Sequence, residues 1–469
     1  MSATEATRIS ADEAQHLTTI SNLANAVDAL AIGRKCHDFI AELFPICRSI
    51  TGNGLRETVG RVSKHIPLTI HEVPSGTQAF DWTVPREWNI RDAYVKNSRG
   101  ERVIDFQRSN LHVVNYSVPV SAKMPLSELR QHLFSSPEYP DRIPYRTSYY
   151  RDTWGFCVSQ RQMEGLEEGE YEVRIDSTLE NGSLTYGEFL LPGTVEDEIL
   201  ISCHACHPSL CNDNLSGIAV ATFLAKMLAG CQLRYSYRFL FIPGTIGSIA
   251  WLSLNERHLH RIKHGLVLSC IGDRGALSYK KSRRGDADID RAARYVLRHS
   301  GHSYNITDFS PYGNDERQYC SPGFNLPVGR LSRTPDGQFP EYHTSADDLN
   351  FVDAAALGDS LSKCLAIFDV LENNRIFVNQ NSKCEPQLGK RGLYRAFGGY
   401  GDSASQELAM LWVLNQSDGT NTLLDIAERS GLGFDVVRQA AIVLVEHGLL
   451  REHARELTRS ALDPEMARS

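Results

Sequence analysis

The spacing of apolar positions along this chain changes three times, and each change marks a different piece of architecture. From about residue 198 to 371, short apolar runs rich in Ile, Leu, Val and Phe alternate with longer amphipathic stretches. Residues 198–202, 237–242, 265–271 and 326–331 read as strands, and residues 217–228, 248–261, 288–299 and 352–371 as helices. Strands that are apolar on both faces and separated by helices predict an α/β domain: a mostly parallel sheet with helices on both faces. Residues 32–44 have helical spacing and predict one further helix, broken by the turn-forming run from Ser49 to Gly54.

Elsewhere the texture differs. Residues 68–120 hold short alternating runs separated by Gly, Pro and Asn, which predicts a small β-rich unit. Residues 139–156 are aromatic, polar and Pro-containing, as in a long ordered loop, either surface covering or a wall facing substrate. Residues 170–179 and 183–191 predict a hairpin. After residue 404, three helical stretches (406–414, 423–430, 434–446) and a short terminal strand predict a winged helix. The expected organisation is a weakly ordered leader over 1–30, a main domain over 31–66 and 155–385, an inserted β-rich domain over 67–154, and a winged-helix-like domain over 400–455.

Charge and composition narrow the function. A net charge of −8 leaves no basic excess to neutralise phosphates, which argues against nucleic-acid and anionic-membrane partners. No stretch approaches the roughly 20 apolar residues of a membrane span, and the acidic, polar N-terminus lacks a signal-peptide pattern. Eleven scattered cysteines without an export signal read as reduced thiols, so a cytoplasmic protein is expected. Residues 434–446 offer Arg438 against Asp435 and Glu446. The winged helix is therefore expected to dock a protein partner or a second copy, giving a homo-oligomer, rather than to read DNA.

In open α/β sheets, ligands bind beyond the carboxyl ends of the strands, and the polar motifs of this chain fall there. The first central strand runs into Cys203-His204-Ala205-Cys206-His207-Pro208 and then Asn212-Asp213-Asn214-Leu215-Ser216-Gly217. A later strand runs into Gly272-Asp273, and Glu341-Tyr342-His343-Thr344-Ser345-Ala346-Asp347 precedes the last helix. Imidazoles grouped with carboxylates favour a zinc site. Cys203 to His207 also spells the C-x-x-C-H pattern of haem attachment. That chemistry belongs to exported proteins, and a haem does not fit at a strand end inside an α/β layer. A structural zinc on Cys203, Cys206 and Cys211 is a second alternative.

These motifs resemble those of zinc aminopeptidases of the clan that includes glutaminyl cyclases. Cys206 to Gly217, Thr245-Ile246-Gly247-Ser248, Asn314 to Gly323 and Glu341 to Ser345 resemble more closely a bacterial aminopeptidase-like family with an inserted β-domain and a C-terminal winged helix. The resemblance implies Asp213 as the central metal carboxylate, His343 as the distal imidazole, and His207 or His204 as the first histidine. It also implies Asp273 as the carboxylate of a second metal in two-zinc members, and Asp347 or Asp315 as the acceptor that fixes a ligand histidine's tautomer. Where the family has its catalytic glutamate and the ligand after it, this chain has Gly244 and Thr245. One zinc is thus expected rather than two, with Glu341, Asp315 or Glu316 as substitute acid/base groups. Tyr342, Arg317, Tyr319 and Arg146 are the candidate substrate contacts. The expected function is a zinc-dependent, aminopeptidase-like amidase acting on a small molecule, peptide or modified sugar. The alternatives are zinc-dependent acyl transfer or cyclisation, and a non-catalytic pseudo-peptidase that binds a partner.

Overall fold

A computed structural model describes residues 18–393 and 402–453, in two compact units divided between Ile367 and Phe368. The first unit is built on eight strands: β1 (Thr69–Pro74), β2 (Ser183–Leu191), β3 (Glu198–His204), β4 (Ser236–Ile242), β5 (Ile262–Leu268), β6 (Leu277–Lys280), β7 (Tyr304–Thr307) and β8 (Val328–Ser332). Their order across the sheet is β1-β2-β4-β3-β5-β8-β6-β7. The centre, β4-β3-β5-β8, is parallel, as is the β6–β7 pair. The β1–β2, β2–β4 and β6–β8 pairs are antiparallel.

Every residue of β3 is buried, so both faces of the sheet are covered at its centre, as its unbroken apolar sequence requires. Helix α1 (Ala29–Leu43) packs on α2 (Ser216–Leu228), which lies against β3, β4 and β5. Helix α3 (Ile246–Asn255) follows β4, α4 (Asp288–Arg298) covers β5 to β8, and α5 (Ala354–Asn373) closes the domain. The parallel strands place the ends of β3, β4 and β5 side by side, and the polar motifs gather there.

Four expectations about the chain's organisation change. The predicted hairpin does not form. Strand Glu170–Glu180 lies between Glu87–Lys96 and Val120–Pro125 in a separate four-stranded sheet, whereas β2 pairs with β1 and β4. A period of two identifies strands but not their partners, and here the chain changes sheets at Asn181-Gly182. The small sheet therefore reaches beyond residue 154, and β1, expected inside it, belongs to the large one. Thirdly, the leader is ordered from Thr18: helix Ile20–Ala26 is capped by Thr19, and the Thr18 backbone pairs with Gly230 and Gln232. Residues 1–17 lie outside the described residues. Lastly, the winged helix begins near residue 376 rather than 400. Strand Ile376–Asn379 is the middle member of its sheet, flanked by Asp418–Thr422 and Leu450–Glu452.

Arg56 joins the eight-stranded sheet to the four-stranded one. Its guanidinium reaches Glu72 on β1 at 2.9 Å and both carboxylate oxygens of Glu87 at 2.7 Å, and Glu87 also accepts the Ser183 N–H at 2.9 Å. The Arg56 hydrogen bonds hold the Glu87 carboxyl down at about 2. A depressed carboxyl stabilises the fold above its unfolded value of roughly 4.3, and the contribution is lost as the pH falls through the folded value. Glu87→Gln should therefore be less stable than the parent near pH 7, with the difference shrinking as the pH falls toward 2 in urea-unfolding series. A gap that stays constant with pH would show that the ion pair is not its source.

Helices α1 and α5 touch through glycines. A Cβ at Gly33 would lie 1.8 Å from the Ala354 carbonyl oxygen, and one at Gly358 would lie 1.7 Å from that of Ala29. This contact explains a glycine in mid-helix, where it otherwise weakens the structure. Gly33→Ala should destabilise the first unit by about 1–3 kcal/mol, read as a lower melting temperature, and an unchanged one would refute so close a crossing.

Candidate metal centre

The centre is assembled from turns that leave β3 and β5 and from the loop before α5. After His204 the chain passes through Ala205 to Pro208 and enters an irregular turn, Cys211–Leu215, whose Asp213–Asn214 peptide is cis. The two asparagines around Asp213 stitch neighbouring segments together. Asn214 donates to the Leu268 carbonyl at the end of β5 (3.0 Å) and accepts the N–H groups of Gly217 and Cys270 (both 3.2 Å). Asn212 accepts the Gly272 N–H at 2.8 Å and donates to Asp273 at 3.0 Å. With its neighbours fixed, the carboxylate of Asp213 faces three histidines. Its Oδ1 is 2.8 Å from His204 Nε2, and its Oδ2 is 3.0 Å from His343 Nε2 and 3.8 Å from His207 Nε2. Ligand atoms of His204, His207 and Asp213 all lie within 4.8 Å of one another.

Several groups hold these side chains in place, and one of them, Arg48, was passed over by sequence reasoning. Arg48, fully buried, donates to the carbonyls of Leu43 and His207 (both 2.7 Å) and of Pro208 (2.9 Å), and so fixes the turn that carries His207. Its one sequence signal was a cation enclosed by apolar residues in Ile46-Cys47-Arg48-Ser49-Ile50. His343, at a φ of 53°, is pinned by the aromatic loop: the Tyr145 N–H donates to the His343 carbonyl at 2.7 Å, and Ile143 and Ser345 bond reciprocally. The ring of Tyr145 packs edge-on against both His207 and His343. That loop is thus a wall of the centre. Asp347 accepts the backbone N–H groups of Asn212 (2.6 Å) and Asp213 (3.0 Å), which ties the two loops together.

The electrostatics suit a cation. Burial alone would raise the Asp213 carboxyl, but the imidazoles of His207, His204 and His343 outweigh it and hold it well below the usual range. Burial lowers His207 to about 3, so it stays neutral. Burial also works against a charged His204, yet its hydrogen bond to Asp213 leaves it raised. Burial pushes Asp347 up to about 8. An ionised carboxylate beside a neutral imidazole is the form in which such groups bind metal, so the donor set fits a single divalent ion.

The other predicted residues divide. Asp273 does not join the cluster: its oxygens accept from Gly275 N–H, Thr334 N–H and hydroxyl, and Asn212, which makes it a brace of the β5 loop. Asp347 and Asp315 accept backbone N–H groups, not a histidine ring; the Nδ1 of His204 faces the Asn214 amide at 3.4 Å instead. Glu316 is fully buried with Lys280 at 2.9 Å, so it is structural. Glu341 lies 3.5 Å from Arg142, partly exposed. Tyr319 is no substrate contact: it is wholly buried in the core, hydrogen-bonded to Ser202. Arg146 sits over the Phe134 ring at the surface. Tyr342 stacks on His343 at 4.0 Å, and Arg317 has a buried Nε without a partner. All eleven cysteines are free, and the metal cluster contains none of them.

Gly244 lies beside the cluster. Its N–H points at Cys206 Sγ (3.2 Å), and a Cβ there would be 3.3 Å from that sulfur and 3.4 Å from His204 Cβ. Asp315 occupies the other side of the turn, accepting the Thr245 N–H at 2.8 Å and the Ser248 hydroxyl at 3.0 Å. Its Oδ2 is buried without a partner, and burial raises its carboxyl.

Residues 37–374 match the family described as a domain of unknown function, DUF4910. The chain belongs to that family. Residues 375–452 match a winged helix-turn-helix family. A Clostridium acetobutylicum protein, provisionally named as a polysaccharide biosynthesis protein with an aminopeptidase-like domain, is 56% identical over 419 residues, covering 89% of this chain and 96% of that protein. A Clostridium acetobutylicum crystal structure provisionally described as a peptidase has a TM-score of 0.87 and 52% identity, covering 92% of this chain and 99% of the other. BSAP, a zinc aminopeptidase from Bacillus subtilis, has a TM-score of 0.53 at 12% identity, covering 71% of this chain and 94% of the other. At that identity the likeness is one of fold.

In this DUF4910 domain the Arg48 clamp can be tested directly. Arg48→Lys keeps the charge but loses the planar fork that reaches three carbonyls. Metal affinity, read by competition with a chromogenic chelator, should fall by about 10–100-fold while the fold survives. Unchanged affinity would show that the clamp does not position His207.

Proposed function

We propose that this chain is a zinc-dependent, aminopeptidase-like hydrolase that cleaves an amide bond, with an amide-bearing sugar as the favoured substrate. The observation that carries the reading is the convergence of His204, His207 and His343 on the single ionised carboxylate of Asp213, at strand ends of an aminopeptidase-type fold. The name of the Clostridium acetobutylicum relative supports the choice of a sugar. A bound zinc ion would supply Lewis acidity at a carbonyl oxygen. The chain's own residues do the rest. Asp213 with the histidines would hold the ion, and Tyr145 and Tyr342 pack against the His343 ring and orient it. Asp315 moves the proton, because of the three candidate acids it is the one bonded to the Gly244-Thr245 turn; Glu316 also has an unpartnered oxygen but pairs with Lys280, and Glu341 pairs with Arg142. Burial raises the Asp315 carboxyl, the direction that suits a general base.

Gly244 favours one rival, a pseudo-peptidase that keeps the metal centre to bind rather than to cleave. In the winged helix, Arg438 is paired with Asp369 and Asp435, which supports a protein-facing or self-associating role over DNA reading.

Elemental analysis of the purified chain should find about one zinc per chain, falling below about 0.2 in Asp213→Ala. Hydrolysis of N-acyl amino sugars should drop by about a hundred-fold or more in Asp315→Asn with zinc retained. A parent that binds zinc but cleaves only after Gly244→Glu would establish the pseudo-peptidase instead.

A further inference from the structure

Outside the metal centre, aromatic side chains are presented to solvent by backbone conformations that such residues rarely adopt. Phe80, between the short strands Gln78–Ala79 and Trp82–Thr83, has a φ of 53°, and Tyr150 has a φ of 63°. Asn325, next to Phe324, has a φ of 46°. For bulky residues this region is a genuine outlier, and such outliers gather at ligand clamps and active sites. Burial does not compensate here: Phe80 is 45% exposed, Trp82 43% and Tyr150 51%. The rings meet in pairs, Phe80 with Phe324 at 5.6 Å and Trp82 with Tyr150 at 5.7 Å.

Two sets of contacts lie behind the patch. Ala79 packs on Ile249 and Ala250 of α3, the helix that begins at the Gly244-Thr245 turn. Tyr150 adjoins Tyr149, whose hydroxyl lies 3.1 Å from that of Tyr145, and the Tyr145 ring touches His207 and His343 at 5.3 and 5.1 Å.

Polar groups interrupt the rings. Asp81, between Phe80 and Trp82, is exposed and makes no hydrogen bond or ion pair among the described residues. Arg86 pairs with Asp152, and Arg151 is exposed beside it. Two acidic and two basic groups balance, which suits neither a polyanion nor a cationic ligand. Open aromatic faces with a carboxylate and guanidinium at their edge match a sugar ring, whose C–H face is apolar and whose hydroxyls lie around its rim. An apolar peptide side chain would instead call for an enclosed pocket.

We propose that Phe80, Trp82 and Tyr150 form a surface platform that binds an uncharged saccharide chain. The binding stands apart from the hydrolytic reading of the metal centre. Calorimetric titration of the full chain with chitotetraose and with cellotetraose, and with tetra-alanine as the peptide control, tests the platform before and after chelation of metal. At least one saccharide should bind saturably, tetra-alanine should not, and chelation should leave the affinity unchanged. Trp82→Ala and Tyr150→Ala should each weaken binding by about tenfold, while Trp82→Phe retains most of it and all three keep the parent's melting temperature. Saccharide binding lost on chelation alone would place the sugar at the metal centre and overturn the platform, as would failure of both saccharides, binding of tetra-alanine, or unchanged affinity in both alanine variants. None of these outcomes depends on amide hydrolysis, so the platform and the hydrolase reading can fail separately.

Discussion

One ionised carboxylate buried among strand ends sets the terms for this structure. Asp213 is 2% exposed, and a charge so enclosed is tolerable only with opposite charge or hydrogen-bond donors around it. Its backbone N–H is held by Asp347, its neighbours Asn212 and Asn214 are fastened to the β5 loop, and its oxygens are left for three imidazoles. Arg48 presents the converse problem, a fully buried cation whose partners are backbone carbonyls and the Thr58 hydroxyl. The two charges face one requirement. Each makes its surroundings rigid because a partner lost would leave a buried charge unmet, and that rigidity holds His207 near Asp213.

The sequence made the outline legible because its signals are local. Buried parallel strands are apolar throughout, helices carry their own spacing, and His204, His207 and Asp213 lie within ten positions on one strand-turn-helix unit. What escaped was decided over long separations. Asp273 at a strand end reads alike whether it faces a metal or braces a loop; Thr334, which it accepts from in this structure, is far along the chain. Tyr319 stands in a polar motif, but its helical turn rotates it into the core against Trp251. The aromatic loop left two readings open, and only the pairing of Tyr145 with His343 chose between them.

Gly244 was legible as a departure, but its surroundings give it a second meaning. The residue after it, Thr245, has φ 67° and ψ −65°, and the Ile246 N–H closes back on the Gly244 carbonyl at 3.1 Å. This is a tight three-residue turn of the rare positive-φ kind. Asp315 stabilises it by accepting the Thr245 N–H. A carboxylate has therefore not vanished from this side of the centre; one arrives from a different segment of the chain. Had residue 244 also carried one, two acids would share one partly buried turn, and like charges so close disfavour joint ionisation. Gly244 and Asp315 are best understood together: the glycine makes room for Cys206 and removes a competing charge, and the aspartate takes up the N–H that the turn exposes. The acid group nearest this turn is then Asp315, whose Oδ2 is left without a partner, and whether a ligand at the centre reaches it decides what the turn can contribute.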